Sequence, residues 1–299
     1  MKVMVELPTW LGDTVMATEA LEHICQKAEE VVLVGSPVAT QAVQNFPKVS
    51  EIFVDTKKYR PLSTLALAKK IGRADLAISF RGHIFSKLLV GLVGKRGFWY
   101  DKRRFSGHQV QMYHQFVETA FGQTLPFGQI TLYYPPTTYA KPTIGINPGA
   151  TYGDAKRWYP EYFAQVIEEL GPSYDYIIFG GPGEERIAKA IEEKVPFPVN
   201  NLAGKTTIPQ LISHIAGLHA FLTNDSGPMH VAAAYDVPTL ALFGPTDATK
   251  TSPFSQKAQV LRIDMECAPC MKRTCPLKHH SCMKELTPQL VVQKLKEIL

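Results

Sequence analysis

The sequence predicts an α/β protein made of two doubly wound parallel-sheet domains in tandem, and three observations carry that expectation. Short β-rich runs alternate with segments of helical periodicity along most of the chain, the pattern of repeated βαβ units. A proline-rich stretch interrupts the alternation near the middle, and the alternation then restarts. The chain has 299 residues, enough for two domains of ordinary size, each with its own core.

Residues 2–7 read as a strand, apolar except for Glu6 and the leading Lys2. A loop over 8–13 leads into a helix over 14–28. A second strand is expected at 31–34 and a helix at 37–45, with Pro37 in its first turn, where a missing N–H costs nothing. Strands at 51–54 and 76–79 flank a helix at 61–71, and 86–93 and 110–121 are further helices. Pro135, Pro136 and Pro142 crowd the stretch 134–142, which can neither continue a helix nor sit in a central strand. Beyond it come strands at 143–147, 176–179, 220–223 and 239–243. Helices at 160–170, 183–194, 208–217 and 228–235 alternate with them. The expected domains are 1–138 and 139–284, followed by a terminal segment 285–299 whose helix over 288–299 would be able to pack back on the first domain. In such sheets ligands bind at the carboxyl ends of the strands, so facing ends would make the cleft between the domains the active site.

Hydrophobic residues at 45% and charged ones at 20% describe a globular chain, not a disordered one. The formal charge of +5 is a mild excess. It suits an anionic small molecule or an anionic membrane surface and gives no support to nucleic-acid binding. No run approaches the ~20 apolar residues of a spanning helix; the longest, 88–94, contains Gly91 and Gly94. The amino-terminal strand reaches Pro8 and Gly12-Asp13 too soon to be a signal-peptide core, so the expectation is a cytoplasmic protein with reduced thiols.

Five turns are candidates for the chemistry. In Asn224-Asp225-Ser226-Gly227-Pro228-Met229-His230 a buried strand ends and a helix begins at Pro228. The glycine lets backbone N–H groups converge at the positive end of that helix, a geometry that binds phosphate; a simple capped helix start is the alternative. Asn147-Pro148-Gly149-Ala150-Thr151 through Lys156-Arg157-Trp158 also follows a strand, and its cations would neutralise a diphosphate. Phe179-Gly180-Gly181-Pro182-Gly183-Glu184 offers close backbone approach and a carboxylate for ribose hydroxyls, with helix capping as the bland reading. The small polar loop Leu202 to Thr207 says nothing alone. In the first half, Trp10-Leu11-Gly12-Asp13 follows the first strand but lacks the G-x-G-x-x-G fingerprint. Asp13 there is either a general base or a helix cap.

Together these motifs resemble the ADP-heptose:lipopolysaccharide heptosyltransferases, inverting glycosyltransferases with two Rossmann-like domains (the GT-B fold), and the match covers nearly the whole chain. The run Cys267-Ala268-Pro269-Cys270 through Cys275 and His279-His280-Ser281-Cys282-Met283 is similar to that of the members acting second on the inner core. The resemblance implies Asp13 as catalytic base and Thr151, Lys156, Glu184, Thr206, Asp225, Ser226, Gly227 and His230 as donor-binding residues. It implies ADP-heptose and a lipopolysaccharide core acceptor as partners, at the cytoplasmic face of the inner membrane. Addition of the first heptose to the lipid A acceptor, or another nucleotide-sugar transfer, is the alternative. No cofactor is expected, and no metal in catalysis, because the chain holds no Asp-x-Asp motif.

An anionic acceptor would suit the cations Lys57, Lys58 and Arg60, and Arg81, Lys95, Arg96, Lys102, Arg103 and Arg104, with Arg81 best placed after its strand. The C-x2-C-x4-C-x6-C spacing of Cys267, Cys270, Cys275 and Cys282 leaves a structural zinc or a loop of inert thiols as alternatives. Two other readings are a nucleotide-sugar epimerase of the same architecture and a non-catalytic binding module built on the cysteines.

Overall fold

The computed structural model describes residues 1–55 and 61–299 and resolves into two compact units, Met1–Tyr133 and Tyr134–Leu299. The first holds β1 (Lys2–Glu6), α1 (Leu11–Met16), α2 (Thr18–Lys27), β2 (Glu30–Gly35), α3 (Pro37–Val43) and β3 (Val49–Val54). It continues with α4 (Pro61–Ile71), β4 (Ala74–Ser79), α5 (Ile84–Val93), β5 (Gly94–Trp99) and α6 (Gln109–Phe121). Its strands pair in parallel in the order β3-β2-β1-β4-β5. Both faces of this sheet are covered, so the central strands are almost wholly apolar: Val3, Met4 and Val5 and Val31 to Val34 are buried without remainder. The sequence reading missed β5. Its Lys95 and Arg96 and two glycines belong to an exposed edge strand, which has no need of an apolar run.

The second unit holds β6 (Thr143–Asn147), α7 (Pro160–Leu170), β7 (Asp175–Ile178), α8 (Glu185–Glu192), β8 (Asn200–Asn201) and α9 (Ile208–Ala216). Then follow β9 (Ala220–Asn224), α10 (Gly227–Ala234), β10 (Thr239–Phe243), α11 (Ala248–Thr251), β11 (Ala258–Arg262), α12 (Ser281–Lys284) and α13 (Pro288–Lys296). Its parallel sheet runs β11-β10-β9-β6-β7-β8. In each sheet the strand order reverses at one place, between β1 and β4 in the first and between β6 and β9 in the second. These are the switch points at which a doubly wound sheet leaves a crevice.

The core of the second unit gathers Ile144, Ile146, Trp158, Phe163, Leu222 and Leu242 with Val291 and Leu295 of α13. Each fully buried side chain of this size contributes roughly 1.5–3 kcal/mol. The terminal helix, expected as a segment of its own, is therefore an integral part of this unit, packed on α7. Its amphipathic face is what the core takes up; Thr287 caps it by accepting from Leu290 N.

Candidate functional site

Two asparagines at adjacent strand ends lace the turns after β6 and β9 together. The Asn147 amide donates to Thr223 Oγ1 at 3.1 Å and to Ser226 Oγ at 2.8 Å. Asn224 donates to Pro148 O at 2.7 Å and accepts from Trp158 N at 3.2 Å. Both side chains are buried, so these bonds form away from competing water and fix the two turns as one piece.

Within that frame Lys156 Nζ lies 2.6 Å from Asp225 Oδ2, with side-chain exposures of 12% and 5%. Thr246 Oγ1 donates to the same carboxylate oxygen at 2.5 Å. The Lys156 ammonium also stands 4.7 Å from the centre of the Tyr152 ring, while Arg273 lies over that ring at 5.3 Å. A lysine held by a carboxylate and an aromatic face is a fixed positive charge at the switch point. Thr246 escaped the sequence reading; the signal available was the Gly244-Pro245-Thr246 turn after β10, at the same sheet edge.

The helix that starts there is not closed by a side chain. Ser226 is the N-cap residue of α10, yet it makes no capping bond and accepts from Asn147 instead. The capped-helix reading therefore loses its mechanism, and the first turn keeps the partial positive charge that suits an anion. Glu184 is likewise the N-cap residue of α8 without a capping bond. Its carboxylate accepts from Gly181 N at 2.8 Å and rests against Gly149, where a Cβ would fall 2.1 Å from it. The third turn thus touches the second because position 149 has no side chain. Gly204 N donates to Gly180 O at 2.9 Å and brings in the loop of Thr206, which is half-buried.

In the first unit Asp13 sits in the first turn of α1, at the switch point of its sheet. The N-cap residue is Trp10, whose side chain caps nothing and is 62% exposed. The Asp13 charge reaches Tyr100 and Tyr113, whose hydroxyls are raised above the usual tyrosine range chiefly by burial and further by this carboxylate.

Known proteins resemble this arrangement over its full length. The family model described as glycosyltransferase family 9 (heptosyltransferase) matches residues 108–281, more than half of the chain. The lipooligosaccharide heptosyltransferase 2 of Campylobacter jejuni subsp. jejuni serotype O:2 is 40% identical over 315 residues, covering 100% of this chain and 98% of that one. The chain belongs to glycosyltransferase family 9. Among solved structures, the family member E. coli ADP-heptose lps heptosyltransferase II aligns with a TM-score of 0.79 at 25% identity, over 100% of this chain and 98% of that chain. The E. coli heptosyltransferase WaaC with ADP has a TM-score of 0.81 at 20% identity, over 100% of both chains, and supports the shared fold. The GT-B class of two Rossmann-like units and the glycosyltransferase activity expected from the sequence follow from this membership.

The family 9 site residues read from the sequence do not all share one place. Lys156, Asp225, Ser226, Gly227 and Glu184 converge on the edge where β6, β7 and β9 end. Thr151 stands exposed on the second turn, and His230 is buried within α10. Arg81, expected to contact the acceptor, has only 9% of its side chain exposed: Nε donates to Leu7 O at 2.7 Å and Nη1 approaches Glu6 at 3.5 Å. It ties the end of β1 to β4, and so positions the strand that leads to Asp13. Lys95 pairs with Asp75, and Arg96 donates to Ala120 O. Lys57, Lys58 and Arg60 lie outside the described residues.

The cysteine run clasps the turn after β6. Arg273 O accepts from Ala155 N at 3.0 Å, Thr274 donates to Asp154 at 2.9 Å and Tyr152 donates to Met271 O at 2.8 Å. His280 Nε2 donates to Ala155 O at 2.9 Å and Nδ1 accepts from the Tyr159 hydroxyl at 3.0 Å, so both its ring nitrogens are occupied. Cys267, Cys270, Cys275 and Cys282 line a cavity of about 20 Å³. Among the described residues the thiols do not converge to the spacing of ligands around one ion; Glu19, His23 and His114 do. That trio is already satisfied by hydrogen bonds, Glu19 accepting from His23 at 3.1 Å, His114 at 3.0 Å and Gly128 N at 2.9 Å.

Proposed function

We propose that this glycosyltransferase moves heptose from ADP-heptose onto the first heptose of a lipopolysaccharide or lipooligosaccharide inner core, with inversion and without a metal ion. The observation that carries the reading is the full-length 40% identity to a lipooligosaccharide heptosyltransferase 2. The acceptor hydroxyl attacks the anomeric carbon as the bond to the diphosphate oxygen breaks, and ADP departs with the bonding electrons. Asp13 takes the hydroxyl proton, a contribution of ~10²–10⁴-fold in rate for a placed general base.

The leaving diphosphate gathers negative charge and needs fixed positive charge close by. Lys156, oriented by Asp225 and Tyr152, and the uncapped start of α10 provide it. Glu184 accepts from ribose hydroxyls, and Thr151, Thr206, Ser226 and Gly227 line the donor, with His230 behind them. The lipid-bound acceptor is met as a peripheral protein at the cytoplasmic face of the inner membrane. No helix among the described residues is long and apolar enough to cross a membrane, and the mild positive charge suits an anionic surface.

Turnover of ADP-heptose with two defined acceptors, one without heptose and one carrying a single heptose, tests the reading. Transfer to the mono-heptosylated acceptor is expected, undiminished in EDTA. Reaction with the heptose-free acceptor alone would assign the chain to the first transfer. Complete loss on chelation, restored only by Mg²⁺ or Mn²⁺, would remove the metal-free mechanism.

A further inference from the structure

A buried polar cluster in the first unit lies outside the residues assigned to the transfer. Glu19 and His23 stand one turn apart on α2, and His114 faces them from α6, which packs on that helix. The i, i+4 spacing puts the two α2 side chains on one face, so the pairing of the helices brings three ligating groups together. Glu19 is 1% exposed, and both rings are buried. A carboxylate this deep needs a compensating positive charge or a metal ion. Among the described residues no lysine or arginine pairs with it; its ionic partners are the two histidines.

The ligand atoms stand close to the positions a metal requires. Glu19 Oε1 lies 3.1 Å from His23 Nε2 and 3.0 Å from His114 Nδ1, and the cluster's ligand atoms fall within 4.8 Å of one another. Ligands held about 2.0–2.1 Å from a tetrahedral zinc are themselves roughly 3.3 Å apart. Small side-chain rotations therefore separate this trio from three corners of a zinc tetrahedron.

A second feature distinguishes the cluster from a plain hydrogen-bonded trio. His114 has a carboxylate at each ring nitrogen, Glu19 at Nδ1 and Glu118 Oε1 at 3.5 Å from Nε2. A neutral imidazole has one N–H, so it donates to one carboxylate and turns a lone pair on the other. An ion at Nδ1 removes that conflict, because the ring proton then sits on Nε2 and faces Glu118. This is the carboxylate–histidine–metal arrangement, in which an outer carboxylate fixes the ring and its tautomer. Both carboxylates are themselves held by the chain after α6: Glu118 accepts from Leu125 N and Glu19 from Gly128 N, each at 2.9 Å.

We propose that Glu19, His23 and His114 bind a divalent transition-metal ion of the zinc type, with water in the fourth position and Glu118 as the outer carboxylate. Two imidazoles and one carboxylate form a donor set suited to that class of ion. Its two positive charges balance Glu19 and Glu118. The ion staples α2 to α6 and, through the two carboxylates, holds the segment 125–128 against them. Because α2 follows directly on α1, the staple also steadies the helix that carries Asp13. The proposal goes beyond the heptosyl-transfer reading and is independent of it: the ion serves the fold and not the transfer. Its burial shields it from brief exposure to EDTA, so turnover there is unaffected.

The test uses the full chain purified without added metal. Its metal content is measured by plasma mass spectrometry, and protein stripped of metal is then titrated with Co²⁺ at neutral pH. About one zinc per chain is expected. Stripped protein should take up one Co²⁺ and show the visible bands of a tetrahedral nitrogen–oxygen site, without sulfur-to-cobalt charge transfer. Glu19→Gln and His114→Gln should abolish this uptake, while Cys270→Ser should leave it unchanged. Glu118→Gln keeps all three ligands, so it remains informative should a ligand variant fail to fold, and it should weaken Co²⁺ binding by ~10–100-fold. No uptake of Zn²⁺ or Co²⁺ by the unaltered protein overturns the site, for the trio would then be held by protons alone. Binding that survives Glu19→Gln, or an affinity unchanged in Glu118→Gln, overturns it as well. Sulfur charge-transfer bands that vanish in Cys270→Ser would place the ion at the cysteines instead.

Discussion

Lys156 and Asp225 are held 2.6 Å apart with little exposure, and Thr246 and Tyr152 complete their surroundings. Removing one member of a pair this buried leaves the other charge uncompensated, typically a loss of ~3–5 kcal/mol. That makes substitutions of Lys156 or Asp225 a blunt probe, since folding and binding both suffer. Gly149 is the sharper one. A methyl group at this position would meet both oxygens of the Glu184 carboxylate at 2.1 and 2.3 Å. Glu184 is the far end of a side chain and can swing away, so Gly149→Ala should fold with a melting temperature near that of the unaltered protein. Its affinity for ADP should fall about tenfold, one hydrogen bond's worth between carboxylate and ribose, as titration calorimetry would measure. Glu184→Ala should show the same loss; if Gly149→Ala binds normally while Glu184→Ala does not, the contact between the two residues has no bearing on the nucleotide. The residues proposed to hold the donor were legible in the sequence because most lie in short glycine-bearing turns after an apolar run. Their partners were not: Asp225 lies far along the chain from Lys156, and nothing local announces the pair.

At the level of elements, the loop from 267 to 282 acts as a strap across the turn after β6, through bonds to the backbone of Ala155 and side-chain bonds to Asp154 and Tyr152. Gly153 belongs to this contact, for a Cβ there would fall 2.3 Å from Arg273 O. The cysteines are accordingly in unequal surroundings. Cys282, on α12, is buried beside Met283, and burial, reinforced by the neighbouring thiols, pushes it up to about 11. Cys25, on α2, is pushed up to about 12 by burial and by Glu22. Cys267, Cys270 and Cys275 are half-exposed. At pH 8 a thiol titrating near 11 is only ~0.1% thiolate, and the thiolate is the reactive form. In a DTNB assay on native protein, Cys267, Cys270 and Cys275 should therefore react readily, with Cys25 and Cys282 following only on denaturation. Rapid reaction of Cys282 together with Cys267, Cys270 and Cys275 would show that the strap opens in solution. The spacing of the cysteines left a structural zinc and a loop of inert thiols as alternatives; the strap is held by hydrogen bonds of its backbone and of Thr274 and His280, to which cysteine spacing is blind. The secondary elements themselves were largely legible, since helix α4, strand β6, helix α7 and strand β10 coincide with their expected limits. The exposed edge strand β5 and the short strand β8 were not, because neither contains an apolar run.

For the whole molecule, the two units divide at Tyr133–Tyr134, just where the proline-rich stretch begins. If the donor belongs to the second unit, ADP stabilises that unit by mass action, by ~2.7 kcal/mol at one hundred times its Kd. Hydrogen exchange should then slow in the turns around 147–158 and 224–228 and leave the sheet of the first unit unchanged. Equal protection in both sheets would mean that the nucleotide is held elsewhere. The sequence by itself determined the two-unit parallel α/β architecture, the switch-point turns and the family resemblance, and it singled out Asp13 and Lys156 as candidates. These depend on periodicity and on residues adjacent in the chain. Only the tertiary structure decided that Asp225 and Thr246 hold Lys156, that Arg81 is buried as a tie between strands, that α13 belongs to the second core, and that Glu19, His23 and His114 meet. Strand order brings those residues together across long stretches of chain, and a parallel sheet's crossovers set that order through packing that no local pattern encodes.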